Sequence, residues 1–170
     1  MSLFCIFIAG PSGSGKTTIA EQIIGRLSSE GVGVSFIKDI PHDDADFDLK
    51  GKDTYRAVSE GAAMSIGRSP SKTFITMRGN MDLSQLLQIA EHYCSVCVVE
   101  GFTQEVNSLH AYDSIFLRMD QEGAESWGTH IQVRSDKGIR NYDLKHGNSE
   151  LLDFIASLIR ERERNAKKSK

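Results

Sequence analysis

The chain has 170 residues, of which 39% are hydrophobic and 25% are charged, and its formal net charge is −3. This size and composition favour one hydrophobic core, so we expect a single domain over residues 1–165, with a basic, frayed tail at residues 166–170. The mild negative charge gives no reason to expect a nucleic-acid partner, and no apolar run reaches the roughly 18 residues that a membrane span needs.

Apolar strands and amphipathic helices alternate along the chain. We predict strands at residues 3–9, 34–40, 62–66, 73–77, 96–100, 114–119 and 130–134, and helices at residues 15–29, 53–60, 83–93 and 150–164. Several of the strands are continuously apolar, which is typical of strands buried on both faces. The predicted fold class is therefore α/β, with a mostly parallel sheet and helices on both of its faces.

The three cysteines suit a reducing compartment, and we expect a cytoplasmic protein. Cys94 and Cys97 form a Cys-x-x-Cys pair, but they fall on the apolar run that is predicted as a strand. No second pair completes a metal site, and a redox pair would normally lie on the loop that opens a helix. We interpret these cysteines as small buried residues.

Residues 10–17 read Gly-Pro-Ser-Gly-Ser-Gly-Lys-Thr, which fits the phosphate-loop pattern G-x-x-x-x-G-K-[ST] between a predicted strand and a predicted helix. In such a loop the backbone N–H groups face the α- and β-phosphates, Lys16 lies at the β- and γ-phosphates, and Thr17 ligates Mg²⁺. An ordinary glycine turn is the alternative, but both flanking elements have the required type. We expect a P-loop NTPase whose nucleotide-binding residues are Gly10, Pro11, Ser12, Gly13, Ser14, Gly15, Lys16, Thr17 and Thr18.

Two acidic residues follow predicted strands at the same edge of the sheet. Glu100 ends the strand at residues 96–100, where a carboxylate reaches Mg²⁺, its water shell or an attacking water. The alternative is an acid that only marks the solvated end of a strand. Asp39 ends the second strand and is the other acidic candidate. We predict Lys16 and Glu100 as catalytic residues, and Thr17, Glu100 and Asp39 as metal ligands.

Residues 41–52 form an acidic stretch that contains His42. In P-loop enzymes a segment in this position becomes ordered when the γ-phosphate and Mg²⁺ are present. A transition-metal site at His42 and a plain solvated loop are the alternatives. The Asn/Thr-Lys-x-Asp run that reads guanine is absent, so the residues alone leave the base open.

Several further motifs occur in a fixed order between residue 4 and about residue 102. After the phosphate loop come Ile37-Lys38 with His42, Phe47-Asp48, residues 51–56 (Gly-Lys-Asp-Thr-Tyr-Arg), residues 60–62 (Glu-Gly-Ala) and residues 98–102 (Val-Val-Glu-Gly-Phe). In this respect the chain resembles the molybdopterin-guanine dinucleotide biosynthesis protein B (MobB) family. It departs from the family at Asp39, where His is usual, at Thr103, where Lys is frequent, and in a shortened spacing before Gly51. These departures indicate a divergent member.

The resemblance implies a homodimer that binds GTP with Mg²⁺, hydrolyses it weakly and works beside the enzyme that couples GMP to molybdopterin. The residues themselves do not exclude ATP as the bound nucleotide. Molybdopterin itself is a second candidate partner. The resemblance also implies substrate or partner contacts for His42, Asp48, Lys52, Asp53 and Arg56.

Two other functions compete with a slow GTPase. One is a nucleotide-gated adaptor that docks a cofactor-assembly enzyme and uses hydrolysis as a timer. The other is a small-molecule kinase, which usually carries an arginine-rich lid. Residues 121–127 contain no arginine, which disfavours the kinase.

Overall fold

The structure is a computed structural model that describes residues 2–42, 50–105, 112–120, 130–144 and 147–168. In chain order its elements are β1 (Phe4–Ala9), α1 (Lys16–Ser29), β2 (Val34–Lys38), α2 (Asp53–Ser59), β3 (Met64–Arg68), β4 (Thr73–Met77), α3 (Leu83–Tyr93), β5 (Val96–Glu100), β6 (Asp113–Asp120), β7 (His130–Ser135), β8 (Gly138–Asp143) and α4 (Ser149–Lys168). None of the helices described is both long and apolar enough to cross a lipid bilayer.

The backbone forms two compact units. The larger one combines Met1–Asp39 with Leu83–Lys170, and the smaller one is Ile40–Asp82. The larger unit contains a six-stranded sheet in the order β2-β5-β1-β6-β7-β8. Its first four strands are parallel, and β7 and β8 extend the sheet in antiparallel pairing. The predicted α/β class, with a mostly parallel P-loop NTPase-type sheet, is confirmed.

The core of the larger unit lies on both faces of this sheet. Along β1, Phe4, Ile6 and Ile8 join a buried cluster with residues of α1 and α4, whereas Cys5 and Phe7 join a second cluster with residues of α3. Successive side chains of a strand point to opposite faces, so a strand covered on both sides needs an unbroken apolar sequence. This requirement explains why β1 and β5 were recognisable from the sequence.

The smaller unit consists of α2 and the hairpin of β3 and β4. Met64 pairs with Met77, and Ile66 pairs with Ile75, so these four side chains share one face of the hairpin. All four are exposed, by between 44% and 58%. Helix α2 lies against the other face, where the Thr54 methyl group approaches Gly67. The smaller unit therefore presents an apolar surface on this face of the hairpin.

Several predicted boundaries differ from the structure. Strand β8 was not predicted, because its residues are mostly exposed and give no apolar run. The sequence feature that indicates β8 is the turn before it. Ser135 pairs with Gly138, so Asp136 and Lys137 form the two-residue connection of a hairpin. Strand β3 covers Met64–Arg68, so it begins and ends two residues later than the strand predicted at residues 62–66. Helix α4 extends to Lys168, past the predicted end at residue 164 and into the predicted tail.

The cysteines behave largely as predicted. Cys5 and Cys97 are fully buried, and all three cysteines are free thiols. Burial raises the pKa of Cys5 to about 12 and that of Cys97 to about 11, so both stay protonated at neutral pH. Cys94 differs from the prediction, because it precedes β5 and is partly exposed.

The junction between β1 and the following loop packs tightly against the end of β6. A Cβ atom on Gly10 would lie 2.8 Å from the Met119 carbonyl oxygen and 2.9 Å from the Met119 Cβ. Atoms do not approach this closely without displacement, so position 10 requires glycine.

We predict opposite effects for two glycine-to-alanine substitutions. Gly10→Ala should destabilise the fold by about 1–3 kcal/mol, because the new methyl group collides with backbone and side-chain atoms. Gly25→Ala lies on α1, where no described residue outside the adjoining helix backbone comes within 4 Å of the new methyl group, so it should stabilise the fold by about 0.5–1 kcal/mol. Guanidinium unfolding of both variants measures the difference, and equal stabilities would contradict the packing described.

Candidate functional site

The loop of residues 10–15 connects β1 to α1 and leaves the start of that helix without a side-chain cap. Gly15 occupies the N-cap position with φ of 86°, and the first turn contains no acidic residue. Within the described part of the chain, no side chain hydrogen-bonds to the helix start. The first N–H groups of a helix have no partner inside the helix, and the helix dipole is positive there. The local sequence therefore leaves this positive end to an external anion, as in phosphate-binding loops.

The Lys16 ammonium group lies over the same loop. Its Nζ donates to the Gly10 carbonyl oxygen at 3.0 Å and to the Pro11 carbonyl oxygen at 2.6 Å. The loop therefore combines N–H donors with a positive charge held by its own backbone, an arrangement suited to a polyanion.

A second group of side chains, which we call the Glu100 cluster, consists of Lys38, Thr17 and Glu100. The Thr17 hydroxyl contacts the Glu100 carboxylate at 2.9 and 3.1 Å. The Lys38 Nζ lies 3.1 Å from Glu100 Oε1 and 3.1 Å from Thr17 Oγ1. Glu100 is only 5% exposed, and a buried carboxylate is stable only when it is paired and hydrogen-bonded. Lys38 and Thr17 supply this compensation.

Sheet register brings the Glu100 cluster together. Glu100 ends β5, and it stands opposite Lys38 on β2 and Ile8 on β1. Because β1 continues into the phosphate loop, the end of β5 lies beside the start of α1, where Thr17 is placed. The sequence predicted that residues following these strands would lie at one edge of the sheet, and this is confirmed for Glu100 and the phosphate loop.

The oxygen atoms of Thr17 and Glu100 fit Mg²⁺, which prefers hydroxyl and carboxylate oxygens and keeps several waters or phosphate oxygens as further ligands. Within the described ranges, no three or more His, Cys, Asp or Glu side chains are arranged to hold a metal by themselves. A magnesium site here would therefore need ligands from a bound phosphate or water.

Asp39 lies at the same edge. Its N–H donates to the Glu100 carbonyl oxygen at 2.9 Å. Its Cβ lies 2.7 Å from the position that a Cβ on Gly101 would take, so Gly101 makes room for it. Its role as a metal ligand stays a prediction.

The residues expected to contact a substrate or partner belong to the smaller unit. Asp53 and Arg56 form an exposed ion pair at 2.5 Å on α2, and Lys52 precedes that helix. His42 is exposed. Asp48 lies outside the described residues, together with most of the acidic stretch and with residues 121–127. The contact roles of these residues stay predictions.

Sequence reasoning missed one member of the site, Lys38. In the sequence it stands out only as part of the Ile37-Lys38 motif, which assigns no role to its charge. The available signal was its place at the end of β2, level with the acid that ends β5.

Comparison with known proteins places the chain in a family. The model of the family described as molybdopterin guanine dinucleotide synthesis protein B (MobB) matches residues 5–110. A molybdopterin-guanine dinucleotide biosynthesis adapter protein of Methanocaldococcus jannaschii is 31% identical over 130 residues, which cover 75% of this chain and 53% of that protein. A similarly named adapter protein of Bacillus subtilis is 28% identical over 121 residues, covering 70% of this chain and 67% of that protein. The chain thus spans about half the length of the first of these relatives.

A solved structure shows the same fold. The crystal structure of Bacillus subtilis MobB covers 72% of this chain and 86% of its own, with a TM-score of 0.50 and 20% sequence identity. The family match, the fold and the phosphate loop agree. The chain belongs to the MobB family.

Proposed function

We propose that this chain binds GTP with Mg²⁺ at residues 10–18, hydrolyses it slowly, and acts as an adapter in the synthesis of molybdopterin guanine dinucleotide for molybdenum or tungsten cofactors. The observation that carries the proposal is the uncapped, positive start of α1 beside the Glu100 cluster. The family assignment supplies the pathway.

The phosphate loop supports triphosphate binding through donors and charge. Lys16 now donates to two neutral carbonyl oxygens. Phosphate oxygens carry a negative charge that these carbonyl oxygens lack, so a bound polyphosphate would add an ion pair to the hydrogen bonds of the ammonium group. The N–H groups at the start of α1 would add further donors without any rearrangement of the helix.

The Glu100 cluster supports a role for Mg²⁺. Thr17 and Glu100 would hold the ion, with Asp39 as a candidate in its outer shell. When bound, the ion would neutralise charge on the β- and γ-phosphates. Slow hydrolysis is expected because Glu100, once it holds the ion, is not available as a general base for the attacking water.

The adapter role rests on the relatives, which are named as adapter proteins. The proposed partner is the enzyme that couples GMP to molybdopterin, with molybdopterin as a further ligand. A nucleotide that is bound differently before and after hydrolysis could time this docking. The adapter and GTPase roles are compatible.

Lys16→Ala should lower the affinity for GTP by about 100-fold, because it removes a charged hydrogen-bond donor to the phosphates. Calorimetric titration with GTP and with ATP, each in the presence of Mg²⁺, measures the two affinities and thereby the base preference. Lys137→Ala is the matched control, because Lys137 pairs with Glu161 away from the loop, and it should leave affinity unchanged. Absence of heat with either nucleotide for folded wild-type protein would refute the proposal.

Glu100→Gln should reduce GTP turnover by at least about tenfold and weaken the Mg²⁺ dependence of binding, because the neutral amide is a poorer ligand for a hard cation. Steady-state phosphate release at several Mg²⁺ concentrations is the measurement. Glu91→Gln, an exposed position on α3, serves as the control. Unchanged turnover and Mg²⁺ dependence would show that Glu100 does not act on the metal.

Sedimentation velocity tests the adapter role. We expect the chain alone to sediment as a homodimer, as its family resemblance implies. With the GMP-coupling enzyme, it should form a complex whose affinity differs between GDP and a non-hydrolysable GTP analogue, since a timer requires differential affinity. Equal affinities for the enzyme with the two nucleotides would contradict nucleotide-gated docking, and the absence of any complex would contradict the adapter role.

A further inference from the structure

A cavity of about 370 Å³ adjoins the phosphate loop within the larger unit. It opens between the loop, the first turns of α1, the end of β6 and the segment before α4. Residues from each of these elements line it, among them Ser14, Thr18, Gln22, Met119, Leu144 and Asn148. A ligand whose phosphates lie on the loop could therefore extend directly into this cavity.

The cavity has apolar walls and one polar edge. Ile19, Met119 and Leu144 supply aliphatic and thioether surface. The polar edge is a pair of carboxamides: Asn148 Nδ2 donates to Gln22 Oε1, across 126 residues of sequence. Apolar walls with a few convergent polar groups are typical of small-molecule sites.

The carboxamide pair is held in place by secondary structure. The Asn148 carbonyl oxygen accepts the Leu152 N–H at 3.0 Å, so the Asn148 backbone opens α4, while its side chain reaches α1. This bond uses one donor of Asn148. Among the described residues its Oδ1 acceptor and second N–H make no hydrogen bond, so both are available to another partner.

Ser14 is the second observation that points to a ligand. Its side chain is 1% exposed, and its hydroxyl has no hydrogen-bond partner in the part of the chain that the structure describes. Buried hydroxyl groups nearly always have a partner, so an unsatisfied one calls for an explanation. Ser14 lines both the phosphate loop and the cavity, where a ligand oxygen would satisfy it.

We propose that this cavity holds the base and ribose of the bound nucleotide, and that Asn148 contacts the edge of the base. A carboxamide presents one donor and one acceptor side by side, which complements the donor and acceptor pairs on the edges of nucleobases. The apolar walls then contact the ring faces. The inference rests on the proposed nucleotide binding and adds where the base lies and which residue reads it.

The test compares GTP with tripolyphosphate, which has the phosphates but no base or ribose. Asn148→Ser is the informative variant, because serine caps a helix about as well as asparagine but has no carboxamide. It should weaken GTP binding by about tenfold, the size of one lost hydrogen bond, and leave tripolyphosphate binding unchanged. The affinity ratio of GTP to ATP should also change. Asn141→Ser, an exposed position on β8, is the matched control and should change neither affinity.

The alternative outcomes separate this inference from the proposed function. If wild-type protein binds both ligands equally tightly, or if Asn148→Ser leaves GTP affinity and the GTP-to-ATP ratio unchanged, the base is not in this cavity, although nucleotide binding stands. Equal losses for GTP and tripolyphosphate, with lower thermal stability, would show that Asn148 is only structural and overturn the inference. If folded wild-type protein binds neither ligand, the inference and the proposed function both fail.

Discussion

The parallel register of β2, β5 and β1 is the constraint on which the site depends. It places Lys38, Glu100 and Ile8 side by side, so that the carboxyl ends of the three strands lie next to one another at the same edge of the sheet. A slip of one residue would turn each side chain of a strand to the opposite face. Glu100 would then lose Thr17 and Lys38, and a carboxylate now almost fully buried would lack its partners. Because β5 is apolar on both faces, its hydrophobic residues alone do not select one register, and the contacts of Glu100 with Thr17 and Lys38 favour the observed one.

Much of the larger unit could be predicted from the sequence because burial on two faces leaves a strong apolar signal. Strand β5 and helix α3 were predicted with their observed bounds. The edge strand β8 was not, since a strand with exposed side chains resembles a polar loop unless its turn is recognised. In the site, the phosphate loop and Glu100 follow from motifs. Lys38 and the Asn148–Gln22 pair do not, because they depend on contacts between segments distant in sequence.

The two halves of the proposed ligand site differ in the number of chain segments that form them. The phosphate half consists of backbone N–H groups and one lysine on adjacent residues, so a short motif is sufficient to specify it. The cavity beside it needs α1, β6 and the segment before α4 to be placed together. This difference explains why phosphate loops occur in many families, whereas the base that each family selects is set by the rest of its fold.

The position of Lys38 has a consequence for the charge balance of the Glu100 cluster. Without a metal, its ammonium group acts as the counterion of a carboxylate that water hardly reaches. A dication coordinated by the same carboxylate would repel that ammonium group, so the lysine, which is 39% exposed, would swing toward solvent on its flexible stem. The protein would thus carry an internal substitute for the metal, and the carboxylate would never be left without an opposing charge.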